Sequence, residues 1–168
     1  MISATGAALA SVATALLLMT LKAWAVFSTG SVAMLGSLAD SALDLIASLV
    51  TLMGVRIAAR PPDSGHRFGH GKAEALAALF QVIVITASAW GIGWNAMGRL
   101  ARGDVTANAE HGILVSVVAI LATFGLIAYQ RRVIAATGSV AIGADHVHYQ
   151  SDLLLNGAVI IALLLDQY

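Results

Sequence analysis

Of the 168 residues, 59% are hydrophobic and only 11% charged, with no cysteine and a formal net charge of zero. Soluble domains carry about 25% charged residues, so this composition excludes an ordinary soluble domain. The missing thiols exclude disulfides and thiolate ligands, and zero net charge gives no hold on nucleic acid.

A transmembrane helix needs about 20 predominantly apolar residues, and the chain offers five such stretches: 5–27, 31–57, 73–98, 111–131 and 138–166. The predicted fold class is all-α, a polytopic transmembrane helix bundle. In the first span, the apolar run from Ala7 to Phe27 is too long for the core of a cleavable signal peptide. Lys22 lies in its outer half, where a long side chain can snorkel to the interface, and Trp24 fits the interfacial aromatic belt with Trp90 and Trp94.

The second span holds Asp40 and Asp44 one helical turn apart, among the small residues Gly36, Ser37, Ala39, Ser41, Ala42 and Ala47. Small residues let membrane helices approach closely. A charged residue at the bilayer centre costs about 2.5–3.5 kcal/mol on insertion scales, so two of them imply a partner or a function.

Between spans two and three runs a polar loop with Asp63, His66 and His70 at positions i, i+3 and i+7. Pro61 and Pro62 stop the preceding helix, and Gly65, Gly69 and Gly71 permit turns that would gather the three side chains. A metal site and a solvated loop that happens to contain histidine are both open on spacing alone.

Basic residues set the orientation. Arg56, Arg60, Arg67, Lys72, Arg131 and Arg132 flank the 58–72 and 131–138 loops, against Arg99 and Arg102 (beside Asp104 and Glu110) on the other side. The positive-inside rule then puts those two loops and the N-terminus in the cytoplasm.

The fifth span carries Asp145, His146, His148 and Asp152, with small residues at Ser151, Gly157 and Ala158. His148 and Asp152 repeat the one-turn spacing of Asp40 and Asp44. Counting from Ser31, Asp40 and Asp44 lie about 14–20 Å into the bilayer; counting from Gly138 on the opposite face, His148 and Asp152 lie about 15–21 Å in. Both pairs thus fall near mid-membrane on antiparallel helices.

Residues at i and i+4 share one helix face, about 6 Å apart. Two facing pairs offer one imidazole and three carboxylates to a single tetrahedral cation. Zn²⁺ suits that set, and Fe²⁺, Co²⁺ and Cd²⁺ are compatible with it. A hydrogen-bonded structural cluster or a proton relay is the competing use. Asp145, three residues before His148, reads as an attractor of cations or protons or as a plain helix-entry charge. Asn156, one turn past Asp152, is placed to hydrogen-bond it, and His146 and His111 are expected at exposed or interfacial positions.

The stretches GSLADSALDLIASL (36–49), PPDSGHRFGHGKAEALAAL (61–79) and ADHVHYQSDLLLNGA (144–158) resemble the cation diffusion facilitator family, in particular its bacterial zinc/iron efflux branch. The resemblance implies that Asp40, Asp44, His148 and Asp152 form the transport site, and that Asp63, His66 and His70 form a second, cytoplasmic-loop site. It implies a homodimer in a bacterial inner membrane that exports divalent cations, zinc above all, in exchange for protons by alternating access. Lys72 matches a basic residue implicated in an interlock between the membrane and cytoplasmic domains. Members carry six spans and then a cytoplasmic domain. Residues 1–168 therefore read as the transmembrane domain with five of six helices, ending at Asp166-Gln167-Tyr168 before the sixth.

An enzyme is not expected: an intramembrane metalloprotease would need a motif such as HExxH, which the sequence lacks. The remaining alternatives are a metal or proton channel and a non-transporting fragment of such a transporter.

Overall fold

The computed structural model describes residues 3–29, 32–102 and 109–166, with side chains for 3–28, 35–94, 97–98 and 117–157. They form α1 (Ala4–Thr29), α2 (Val32–Ala58), α3 (Lys72–Arg102), α4 (Ala109–Thr137) and α5 (Val140–Asp166), with no strand among the described residues. Among the described residues four helices, α1 to α4, are long and apolar enough to cross a membrane. In a bilayer every backbone N–H and C=O must be satisfied within the protein, which a helix does by itself. The fold is an all-α membrane helix bundle.

Helix α1 packs mainly on α2 and α4, while α3 packs on α2 and α5. α5 lies between α3 and α4 and makes lighter contact with α2 and α1. The packed centre is built from small side chains and a few larger ones: Ala7, Ala8, Leu52, Val55, Ala77, Val133, Ala141 and Ile142. Large apolar side chains point outward instead, among them Leu76, Leu121 and Phe124. Trp24, Trp90 and Trp94 are also exposed, as side chains of an aromatic belt would be. Ser11, Thr51, Gln81, Gln130 and Asp145 are buried, so the polarity is reversed relative to a soluble protein.

One expected loop is nearly absent. Span four does not end at Arg131; α4 runs on to Thr137, which carries Arg131 and Arg132 within the helix. The stop comes at Gly138, whose φ of 64° is the left-handed cap conformation and whose N–H donates to the Ile134 carbonyl at 2.8 Å. Ser139 then caps α5 by accepting the Ile142 N–H at 3.3 Å, and its hydroxyl donates to Glu74 at the start of α3 at 2.7 Å. Charged side chains at a membrane edge do not end a helix, because its hydrogen bonds can continue into the water phase. The glycine does end it.

The expected small-residue seam is only partly used. Ser41 and Ala47 are buried, but a Cβ added at Gly36 or Gly157 would meet open space. The tight approach is elsewhere: a Cβ at Gly54 would lie 2.5 Å from the Ala77 Cβ and 3.0 Å from the Ala73 carbonyl oxygen. Gly54→Val should therefore push α2 from α3 and destabilise the protein by about 1–3 kcal/mol. A thermal melt in detergent checks this against Gly36→Val, which should change little.

Candidate metal centre

Asp44 projects from the middle of α2 and His148 and Asp152 from the first half of α5. Where these helices meet, His148 Nε2 lies 3.0 Å from Asp44 Oδ1 and 3.6 Å from Asp152 Oδ2. One ligand atom from each residue lies within 4.8 Å of the others. His148 is buried, and the two carboxylates are partly covered. Metal–ligand bonds of about 2.0–2.2 Å would separate tetrahedral ligand atoms by about 3.3–3.6 Å. The two spacings from His148 Nε2, 3.0 and 3.6 Å, lie within a few tenths of an ångström of that range.

Asp40 is not part of this group of three. It is exposed one turn earlier on α2, and four residues advance the helix by about 6 Å. The four residues expected to act together thus stand as a close trio with a fourth carboxylate one turn away.

Lys22 departs from its expected role. Rather than turning to the interface, its Nζ donates to the Ser37 carbonyl of α2 at 3.3 Å. An aliphatic stem four carbons long can point either way, and here it reaches a backbone carbonyl of the neighbouring helix. Asn156 also differs: its Nδ2 donates to the Asp152 backbone carbonyl at 2.8 Å, not to the carboxylate. Asp145 is not a helix-entry charge, being fully buried. Its partners are Ser11, Gln81 and Gln130. Nothing in the sequence pattern singled out the two glutamines except their rarity in apolar helices.

The second cluster forms in the loop between α2 and α3. Asp63 and His66 exchange two backbone hydrogen bonds, 3.3 and 3.2 Å long, and Gly69, with φ of 80°, donates its N–H to the His66 carbonyl at 2.9 Å. The segment is a turn-rich loop and not a helix. Asp63 Oδ1 accepts the backbone N–H of His66 at 2.7 Å and of Gly65 at 2.9 Å, and lies 3.2 Å from His66 Nδ1. Its Oδ2 lies 3.2 Å from His70 Nε2. The two imidazole rings are 4.5 Å apart, and one ligand atom from each of the three residues falls within 4.8 Å of the others.

The His66 backbone N–H, foremost among these donors, holds the Asp63 carboxyl below its ordinary range. Its lowered folded value means that its support of the loop is present above the unfolded carboxylate pKa of about 3.9. That support is lost only as pH falls through the lower folded value.

Lys72, the first residue of α3, is exposed. His146 is half-buried. The side chains of Arg99, Arg102, Glu110, His111 and Ala158, and all of Asp104, Gln167 and Tyr168, lie outside the described residues.

Known proteins match this chain along nearly its whole length. The cation efflux transmembrane domain model matches residues 8–168. The cation-efflux pump FieF of Shewanella oneidensis is 48% identical over 159 residues, covering 95% of this chain and 54% of the relative. Its namesake in Serratia proteamaculans is 45% identical over 162 residues, covering 96% and 54%. That of Klebsiella pneumoniae is 42% identical over 168 residues, covering 100% and 55%. The chain spans about half the length of these curated relatives. With the match running through α2, the loop and α5, where both clusters lie, this chain belongs to the cation efflux family.

Proposed function

We propose that this chain is the membrane-embedded core of a divalent-cation exporter, a zinc/proton antiporter of a bacterial inner membrane with its N-terminus in the cytoplasm. The observation that carries the reading is the meeting of His148 Nε2 with Asp44 and Asp152 from two helices, at spacings suited to one tetrahedral cation. Asp40 would complete a set of one imidazole and three carboxylates, which suits tetrahedral zinc and is compatible with Fe²⁺, Co²⁺ and Cd²⁺. Asp63, His66 and His70 would hold a second ion at the cytoplasmic mouth.

Exchange follows from ligand chemistry. Metal binds only deprotonated ligands, so cations and protons compete for the same atoms. The 3.0 Å His148–Asp44 contact, as a hydrogen bond, needs a proton between its partners, and that proton occupies atoms an ion would bind. Loading the site towards the cytoplasm releases protons; opening it towards an acidic exterior returns them and expels the ion. Rocking of the helices around a fixed midplane site would keep the two openings from coinciding. A channel is disfavoured because four ligands closing on one ion hold it too tightly for conduction. Homodimerisation and the sixth helix belong to the same proposal, made for a protein of the relatives' full length.

The test is zinc flux in proteoliposomes under an imposed proton gradient. Uptake should follow the gradient and vanish when it is collapsed. Zinc affinity should fall at least tenfold between about pH 7.5 and 5.5, a window around the unperturbed histidine pKa of about 6.5. Flux indifferent to the gradient would favour a channel.

A further inference from the structure

A single carboxylate at the centre of the bundle gathers side chains from three other helices. Asp145 on α5 is fully buried. Its Oδ1 accepts from Gln81 Nε2 of α3 at 2.7 Å. Its Oδ2 accepts from Gln130 Nε2 of α4 at 2.7 Å and from the hydroxyl of Ser11 of α1 at 2.5 Å. Gln81 also donates to Thr51 Oγ1 of α2 at 2.9 Å, so all five helices meet in one hydrogen-bonded knot. One turn along α5, the buried Tyr149 holds the same partner from the other side, its hydroxyl donating to the Ser11 carbonyl at 3.1 Å. The Tyr149 oxygen also lies 3.0 Å from Ser48 Oγ of α2.

Resting on the reading of the metal centre given above, we propose that Asp145 is its positioning residue: the knot fixes the rotation and depth of α5 and so sets His148 Nε2 against Asp44. The argument is geometric. His148 follows Asp145 by three residues and adjoins Tyr149, so two grips on Ser11 bracket the turn that presents the imidazole. Among the described residues His148 Nε2 meets the other two members of the trio, and the ring stands edge-on to that of Tyr149, 5.6 Å between centroids, so the residue gripped on Ser11 also backs the imidazole. α2 and α5 touch lightly, and packing between them is a weak constraint on where that ring points. Simple anchoring of the bundle would not require a carboxylate. Three neutral donors from three helices converging on its two oxygens give a directional lock that apolar packing cannot supply, because leaving any of these buried groups unpaired is costly.

Asp145→Asn tests this, since it keeps the shape but replaces one acceptor oxygen with a donor facing Gln81 or Gln130. The measurement is cobalt titration of the full-length protein in an Asp63→Ala background, so that the visible spectrum reports the intramembrane centre. A His148→Ala control identifies its bands. The expected result is a cobalt affinity lower by about 10–100-fold, the usual effect of losing an orienting partner, with a changed band shape. Helix content and detergent elution should stay unchanged. Gln130→Leu, which removes one donor only, should give a smaller change in the same direction; it decides the matter alone if the asparagine variant does not fold. Unaltered affinity and bands in a folded variant would overturn the positioning role while leaving the centre intact. Absence of any His148-dependent band in the parent would overturn the centre and this role together.

Discussion

Asp44→Ala should abolish proton-driven metal flux in the full-length protein while leaving the helices inserted. Asp44 is the α2 carboxylate in contact with His148, so its loss removes both a ligand and the partner that orients the imidazole. Removing even an outer partner of a metal site costs about 10–100-fold in affinity, and loss of a ligand should exceed the upper end of that range. Insertion should not suffer, because taking a carboxylate out of the bilayer centre removes a penalty of about 2.5–3.5 kcal/mol. Asp40→Ala in the same assay is informative: it should also impair flux if the ion draws Asp40 into a set of four. Normal zinc flux with Asp44→Ala would end the shared-site reading.

At the loop, Asp63→Ala should eliminate cation binding more completely than His66→Ala. The histidine variant removes one ligand. The aspartate variant removes a ligand and also the acceptor of two backbone N–H groups, those of Gly65 and His66, which shape the turn presenting His66. Calorimetry with zinc, in a Asp44→Ala background so that only the loop responds, should show no saturable binding for Asp63→Ala and residual weak binding for His66→Ala. Hydrogen exchange at 64–70 should rise in the former alone. Equal losses would mean that the loop keeps its shape without the carboxylate.

The helices and both clusters were legible along the chain because their signals are local. Long apolar runs mark spans since the bilayer leaves the backbone no partner outside its own helix, and one-turn spacing places two side chains on one face whatever the helix packs against. The loop triad was legible for a similar reason: prolines and glycines restrict a short segment to turns that bring its own residues together. Direction was harder to read. Lys22 turns to the Ser37 carbonyl of α2 rather than to the interface, and Asn156 bonds to the backbone of its own helix. A flexible side chain chooses between destinations by what another helix offers.

Sequence alone determined that this is a helical membrane protein with ionisable residues one turn apart on two of its helices and a histidine-bearing loop. Hydropathy, helix periodicity and turn chemistry act over a few residues and need no knowledge of neighbours. Tertiary structure decided which of those residues touch: that Asp44 and not Asp40 meets His148, that Gly54 is where α2 and α3 close on each other, and that Asp145 joins Ser11, Gln81 and Gln130. Those contacts depend on the relative rotation of helices far apart in the chain. In an apolar medium no hydrophobic stripe announces that rotation in advance; close packing and buried hydrogen bonds set it only once the bundle is assembled.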